Sequence, residues 1–104
     1  MNQKIRQIAD HYGYDAQSRQ LVEEMAELTQ AANKFWRKRV GRKLIPDHLS
    51  ELLLMPEYSL LTSEIADVYL MLEQIRYLLQ YSDKDLENDI MYKIDRTIAR
   101  MKDD

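Results

Sequence analysis

The sequence contains no cysteine and only two glycines and two prolines among its 104 residues. Without cysteine the chain cannot form a disulfide bond, a thiolate metal site or a cysteine nucleophile. Because helix-breaking residues are scarce and Leu, Glu, Lys, Arg, Gln and Met are common, the composition predicts an all-α fold. We expect residues 1–104 to form a single domain, a helical bundle of about four main helices. Oligomerisation should complete this bundle, since so short a chain buries a small fraction of its surface.

Two further absences concern partners and location. Lys and Arg number 15 against 18 Asp and Glu, a formal charge of −3, so there is no overall basic excess that would attract nucleic acid. No apolar run approaches the roughly 20 residues of a membrane span, and the first residues lack the apolar core of a signal peptide. We therefore expect a soluble, cytoplasmic protein that has no contact with a membrane.

Helical periodicity and stop signals divide the chain into helices. The long ones are predicted at residues 2–12, about 15–39, about 57–81 and from 82 onward. Asp15 or Ser18 can cap the second helix, and Ser82 is the expected cap of the last. Residues 40–56 contain both prolines, so we expect an ordered loop there, with a short helix from His48 to Met55.

The three longer helices each carry apolar residues at helical spacing. These are Leu21, Met25, Leu28, Ala32 and Phe35 on the second helix, Leu61, Val68, Met71, Ile75 and Leu78 on the third, and Leu86, Ile90, Ile94, Ile98 and Met101 on the last. We expect these stripes to be buried. Ile65 and Tyr69 widen the stripe of the third helix, which predicts that this helix lies centrally or at a subunit interface.

Two of these helices carry paired carboxylates three positions apart. The pairs are Glu24 with Glu27 on the second helix and Glu64 with Asp67 on the third. Glu64 falls inside the apolar stripe, where an unpartnered charge costs several kcal/mol, so it must be paired, protonated or bound to a cation. If the two helices are antiparallel, the four carboxylates converge, and all-oxygen ligation suits Mg²⁺ or Mn²⁺ rather than zinc. Glu23 should face water.

The residues alone leave the role of these carboxylates open. A single E-x-x-E or E-x-x-D pattern is common on solvated helix faces. No basic residue lies one turn from Glu64 on its own helix, but Lys93 or Arg96 could neutralise it in an interhelical salt bridge. A metal site and a set of structural salt bridges are therefore both compatible with the pattern.

Two stretches of the chain carry a family resemblance. Residues 20–28, QLVEEMAEL, and residues 63–72, SEIADVYLML, resemble the E-E-x-x-E and E-x-x-D signature of MazG-like all-α nucleoside triphosphate pyrophosphohydrolases. The resemblance implies that the catalytic metal ligands are Glu24, Glu27, Glu64 and Asp67. Glu23 matches the less essential first letter of the signature. The resemblance also implies Mg²⁺ as the cofactor and hydrolysis of the α–β phosphoanhydride of (d)NTPs to a nucleoside monophosphate and pyrophosphate. It further implies assembly as homodimers or homotetramers.

Basic and aromatic residues at two places are candidates for contact with the nucleotide. The substrate-binding candidates are Trp36, Arg37 and Lys38 at the end of the second helix, and Lys93 and Arg96 on the last. The basic residues of the tract 37–43 could bind phosphates or simply be solvated, and the same two interpretations apply to Lys93 and Arg96. Trp36 could stack on a base, whereas Phe35 lies on the apolar stripe and should pack in the core.

Two other functions fit the same sequence. The first is a non-catalytic helical interaction protein whose carboxylates form a structural divalent-metal site or interhelical salt bridges. The second is a small nucleic-acid-associated module that uses the basic tract 37–43. Pyrophosphate release with Mg²⁺ separates the enzyme from both alternatives.

Overall fold

The computed structural model describes residues 2–43 and 49–103, and all regular structure in these ranges is helical. The helices are α1 (Gln3–Gly41), α2 (Leu49–Leu52), α3 (Pro56–Leu78) and α4 (Asp83–Met101). The predicted all-α fold is thus confirmed. The short helix expected from His48 to Met55 corresponds to α2, and its expected start at His48 lies outside the described residues. None of the described helices has both the length and the apolar character needed to cross a bilayer.

Helix α1 is a single long element that bends at Gly13. Gly13 has φ 82° and ψ 171°, a conformation that residues with a side chain rarely adopt. The sequence predicted that a helix ends at this glycine. In the structure the chain instead kinks there, and a helical arm lies on each side of the kink. The first arm is capped by Asn2, whose side chain accepts a hydrogen bond from the backbone N–H of Lys4 at 2.7 Å. Tyr77 of α3 holds this arm by donating its hydroxyl to Asp10 at 2.9 Å.

Helices α1 and α3 pack against each other as an antiparallel hairpin. Gln17, just after the kink of α1, donates a hydrogen bond to Gln74 near the end of α3, while Phe35 near the end of α1 packs near Tyr58 at the start of α3, with ring centroids 6.3 Å apart. The buried and half-buried positions recur at steps of four and three, as in a coiled coil. This line consists of Gln17, Leu21, Glu24, Leu28, Ala31 and Phe35 on α1, and of Glu57, Leu61, Glu64, Val68, Met71, Ile75 and Leu78 on α3, and the buried Gln74 lies beside it on α3.

The packing seam of α1 differs from the predicted one. Met25 and Ala32 were expected in the seam but are exposed, Met25 by 49%. Glu24 and Ala31 occupy it instead, which corresponds to a rotation of the buried face by about 40°. The physical reason is the buried hydrogen bond between Gln17 and Gln74, which turns this face of α1 toward α3. The stripe predicted for α3 is the buried one, with Glu64 inside it.

A pair of buried amides joins the two helices. Gln17 donates from Nε2 to Oε1 of Gln74 at 2.7 Å, and Gln74 donates in turn to the carbonyl of Leu70 at 3.3 Å. Gln74 is only 1% exposed. Because a shift by one residue would leave the buried Oε1 of Gln74 without its donor, this bond specifies the register of the hairpin.

The turn between α3 and α4 is held by Arg76. Its guanidinium donates to Glu73 at 2.8 Å, to Asp83 at 2.7 Å and to the carbonyl of Tyr81 at 3.0 Å. Ser82 caps α4 as predicted, since its hydroxyl accepts the backbone N–H of Asp85 at 3.1 Å. The direction in which α4 leaves the hairpin is therefore set by polar contacts within the turn.

Helix α4 stands apart from the hairpin. It has no buried residue and makes almost no contact with the other described helices. The stripe predicted to be its buried face is present, but Leu86 is half-buried and Ile90, Ile94, Ile98 and Met101 are exposed. Within one chain, the described residues therefore do not show the bundle of about four main helices that was expected to be completed by oligomerisation. What the described residues form is a two-helix hairpin with a projecting third long helix.

We predict that Gln17→Ala lowers the free energy of unfolding by about 1–3 kcal/mol, because it leaves the buried Oε1 of Gln74 without a donor. Urea unfolding followed by far-UV circular dichroism measures the change. The double substitution Gln17→Leu, Gln74→Leu should recover most of the loss, since it removes both polar groups. The exposed Gln30→Ala is the matched control, and an equal loss in that variant would contradict the role of the pair.

Candidate metal centre

Three carboxylates meet in the middle of the hairpin. Glu24 and Glu27 lie one turn apart on α1, and Glu64 faces them from α3 because the helices are antiparallel. One oxygen of each carboxylate lies within 4.8 Å of the others. We call this group the Glu24–Glu27–Glu64 cluster. Its spacing allows all three residues to bind one cation.

Two oxygens of this cluster are buried and have no hydrogen-bond partner. They are Oε2 of Glu24 and Oε2 of Glu64. The other oxygen of Glu24 accepts a hydrogen bond from Nε2 of Gln20 at 2.9 Å, which orients the carboxylate. Buried carboxylate oxygens without a partner are costly and uncommon in folded proteins, and a bound cation would satisfy both. This observation distinguishes the cluster from an ordinary solvated acidic face.

The electrostatics of the cluster raise the pKa of Glu27 above its ordinary value. The main cause is repulsion from Glu24, followed by repulsion from Glu64 and by partial desolvation. A proton on Glu27 is therefore held more tightly in the folded than in the unfolded state. This contribution to stability is complete below the ordinary pKa of a glutamate and is lost as the pH rises through the raised pKa. A divalent cation would remove the same repulsion at neutral pH.

Asp67, the fourth predicted ligand, does not belong to this group of three. It is half-buried on α3, one turn from Glu64. At about 100° per residue, Glu27 and Asp67 are each displaced by about 70–80° from the seam of their helix. Because the helices are antiparallel, both displacements point to the same side of the hairpin. Asp67 thus flanks the open side of the cluster, which we call the Glu27 side.

The cluster has no basic partner within the described part of the chain. Neither Lys93 nor Arg96, the predicted salt-bridge partners, forms an ion pair with Glu64 there. Both are exposed on α4, and Arg96 lies over the ring of Tyr92, 5.8 Å from its centroid. The charge of the cluster is therefore not neutralised by the groups that the sequence suggested.

The candidates at the end of α1 lie on different sides of the helix. Lys38 is on the Glu27 side, about 16 Å along the helix axis from Glu27. Trp36, 58% exposed, is on the opposite side of the hairpin, and Arg37 points to the back of α1. From the rest of the basic tract, Arg42 forms an ion pair at 3.2 Å with the buried Glu57.

Sequence reasoning missed two residues that bear on the site. Gln20 was not recognised as the hydrogen-bond donor to Glu24, although its position one turn earlier on the same face could have indicated it. Lys34 is exposed on the Glu27 side, about 10 Å along the axis from Glu27. The spacing of seven residues between Glu27 and Lys34 could have indicated that both lie on the same side of α1, since seven residues make about two turns.

Comparison of the chain with protein-family models, with curated proteins and with solved structures gives no match.

We predict that Mg²⁺ or Mn²⁺ raises the melting temperature of the protein. A cation that binds only the folded state should add about 2.7 kcal/mol at a hundredfold excess over its dissociation constant. A thermal melt in chelator and in a Mg²⁺ series at fixed ionic strength measures this. Glu64→Gln should lose most of the response, while Glu23→Gln, exposed on the neighbouring position of α1, should keep it. An equal response in Glu64→Gln would exclude Glu64 as a ligand.

A second prediction concerns pH in the absence of divalent cations. Glu27→Gln should melt at a higher temperature than the wild type at about pH 8, because the wild-type carboxylate then repels Glu24 and Glu64. The difference should shrink as the pH falls toward the ordinary pKa of a glutamate, because the raised pKa of Glu27 lets the folded wild type bind a proton there. Melts of both proteins in chelator across this range provide the test. A difference that is constant with pH would show that Glu27 does not titrate against its neighbours.

Proposed function

We propose that this protein is a Mg²⁺-dependent nucleoside triphosphate pyrophosphohydrolase of the MazG-like type. It would cleave the α–β phosphoanhydride of (d)NTPs and contribute to nucleotide-pool house-cleaning in the cytoplasm. The observation that carries the proposal is the Glu24–Glu27–Glu64 cluster, with its two buried and unpartnered carboxylate oxygens. The resemblance of the two carboxylate stretches supplies the reaction class.

The donor set fits Mg²⁺, with Mn²⁺ as a substitute. All three groups are carboxylates, and neither a thiolate nor an imidazole belongs to the cluster. Hard oxygen ligands favour Mg²⁺, which keeps several of its waters and shares its remaining positions with substrate phosphates. Glu24 and Glu64 are half-buried while Glu27 is exposed, so the cluster is anchored on one side and accessible on the other.

The roles of the three carboxylates follow from their burial. Glu24 and Glu64 would hold the cation, and the hydrogen bond from Gln20 keeps Glu24 in place. When bound, Mg²⁺ neutralises charge on the phosphate oxygens and lowers the pKa of a bound water. Glu27 is the group best placed to accept the proton of the attacking water, because it is exposed and repulsion from Glu24 and Glu64 raises its pKa. The water oxygen bonds to a phosphorus of the α–β linkage as the bridging P–O bond breaks.

We assign phosphate contacts to lysines on the Glu27 side. Lys38 was already a candidate for phosphate contact from the sequence. We add Lys34, because Lys34 lies nearer the cluster on the same side of α1. Trp36 and Arg37 point elsewhere and would not contact a nucleotide bound at the cluster of their own chain. Asp67 borders the opening, where it would orient water or join the ligand set once a cation is bound.

The proposal includes a homodimer or homotetramer. The side of the hairpin opposite Glu27 carries exposed apolar residues from both helices. They are Val22, Met25, Trp36 and Val40 on α1, and Ile65, Tyr69, Leu72 and Leu79 on α3. We call this surface the hairpin face. A continuous apolar surface of this kind is unusual on a monomer and is suited to a subunit interface.

The alternative is a non-catalytic helical interaction protein in which the same cluster is a structural divalent-metal site. Both functions require the metal to stabilise the fold, so the melting experiment does not separate them. They differ in turnover, since only the enzyme releases pyrophosphate.

We predict that the protein releases pyrophosphate from one or more members of a panel of nucleoside triphosphates with Mg²⁺ and not with chelator. Glu64→Gln should reduce turnover by on the order of a hundredfold or more, because it removes a ligand charge at constant side-chain volume. Glu23→Gln, whose side chain faces water, should stay close to the wild type. Pyrophosphate release is measured with a coupled enzymatic assay, and circular dichroism confirms the fold of each variant.

Three outcomes would contradict the proposal. Metal-dependent stabilisation without turnover on any nucleotide would favour the structural metal site. Salt-dependent binding to DNA or RNA without turnover would favour the nucleic-acid module. Equal losses in Glu23→Gln and Glu24→Gln would show that the placement of α1 is wrong.

A further inference from the structure

Helix α4 carries an apolar stripe that residues 2–43 and 49–82 leave uncovered. Its apolar residues are Leu86, Ile90, Ile94, Ile98 and Met101. With Thr97, which lies between Ile94 and Met101 on the same side, Leu86, Ile90, Ile94 and Met101 recur at steps of four and three. Ile94, in the middle of the stripe, is 43% exposed. A helix of this kind is amphipathic and needs a partner to bury its apolar side. The contacts of Arg76 with Asp83 and with the carbonyl of Tyr81 direct α4 away from the hairpin, so the helices of the described residues do not cover this stripe.

The charges of α4 are divided between its two halves. The first half is predominantly acidic and the second half predominantly basic. The acidic residues of the first half are Asp83, Asp85, Glu87 and Asp89, and the basic residues of the second half and the helix end are Lys93, Arg96, Arg100 and Lys102. A helix with this polarity is complementary to itself when turned end to end. A parallel arrangement would set acidic half against acidic half.

We propose that α4 docks against α4 of a second copy of this chain, antiparallel, about a two-fold axis close to Ile94. In this register the stripes match layer by layer. Leu86 lies opposite Met101 of the second copy, Ile90 lies opposite Thr97, and the two Ile94 side chains meet near the axis. The contact is isologous, so each copy uses the same surface and the assembly closes.

The charges beside the stripe fit this register. Asp89 lies level with the interval between Arg96 and Arg100 of the second copy, on the same side of the helix pair. Asp89 is already oriented by the hydroxyl of Tyr81, which donates a hydrogen bond to it. Glu87 lies near Lys102 of the second copy on the other side. The one unfavourable contact is between the two Lys93 side chains near the axis.

This surface is distinct from the hairpin face. If each of the two apolar surfaces forms a contact about its own two-fold axis, the chain assembles as a tetramer that contains two kinds of dimer contact. The docking of α4 does not depend on the proposed catalytic activity, because none of the cluster carboxylates lies on α4. Failure of one therefore leaves the other intact.

The absence of cysteine from the chain makes the geometry directly testable. Full-length variants with a single Ile94→Cys, Leu86→Cys or Met101→Cys substitution are oxidised with glutathione disulfide at micromolar concentration and separated on a non-reducing gel. Ile94→Cys should become mostly covalent dimer. Leu86→Cys and Met101→Cys should stay monomeric alone but crosslink when mixed. Tyr92→Cys, close to the axis in sequence but on the exposed opposite side of α4, is the matched control and should not crosslink.

Other patterns overturn the proposal. If Leu86→Cys and Met101→Cys each crosslink alone as readily as Ile94→Cys, the helices pair in parallel. If no α4 variant crosslinks, or if Tyr92→Cys crosslinks as well as Ile94→Cys, α4 does not dock against its own copy.

Sedimentation provides a measurement independent of oxidation. Ile94→Glu places a charge at the axis and should shift the assembly state down by at least a factor of two relative to the wild type. Its helix content should be unchanged, because Ile94 has no buried contact in its own chain. Tyr92→Glu should sediment as the wild type does. Identical sedimentation of Ile94→Glu and the wild type would overturn the proposal.

Discussion

The antiparallel packing of α1 against α3 is the interaction on which the rest of the structure depends. Its seam is not purely apolar, since a buried amide pair, Gln17 with Gln74, and facing carboxylates, Glu24 and Glu64, occupy positions that a coiled coil would fill with aliphatic residues. The amide pair is satisfied and specifies register, because any slip leaves buried groups without partners. That register in turn places Glu64 level with Glu24. Structural specificity and the candidate site therefore come from the same polar seam.

The carboxylate cluster carries a cost that the fold alone does not offset. Two of its oxygens are buried without a partner, and mutual repulsion raises the pKa of Glu27. A stable protein retains such an arrangement where a ligand compensates for it, and a hard divalent cation is the compensation that this donor set favours. The cost of the cation-free site and the proposed affinity for a cation would thus be two aspects of one feature, and the proposed pyrophosphohydrolase activity would use a cation held in this way.

The proposed metal site and the proposed subunit interfaces lie on different sides of the molecule. The Glu27 side of the hairpin bears the open side of the cluster, Asp67 and the two lysines Lys34 and Lys38, whereas the hairpin face on the opposite side is apolar. Helix α4 adds a second apolar surface with its own charge pattern. Subunits can therefore associate without covering the cluster. This separation follows from helix geometry, since positions on opposite sides of a helix recur with the same period of about 3.6 residues.

The sequence by itself determined the helices, the cap at Ser82, the break at Gly13 and the position of Glu64 within the buried stripe of α3, because periodicity and capping depend on residues a few positions apart. Only the tertiary structure decided which of two adjacent faces of α1 is buried, since that choice depends on polar partners more than 35 residues away. Only the tertiary structure shows that Asp67 lies outside the cluster, because this too depends on residues far away in the sequence. The exposure of α4 was likewise decided only by the tertiary structure, because the contacts of Arg76 in the turn direct this helix outward. The apolar stripe in the sequence does not specify which surface will cover it.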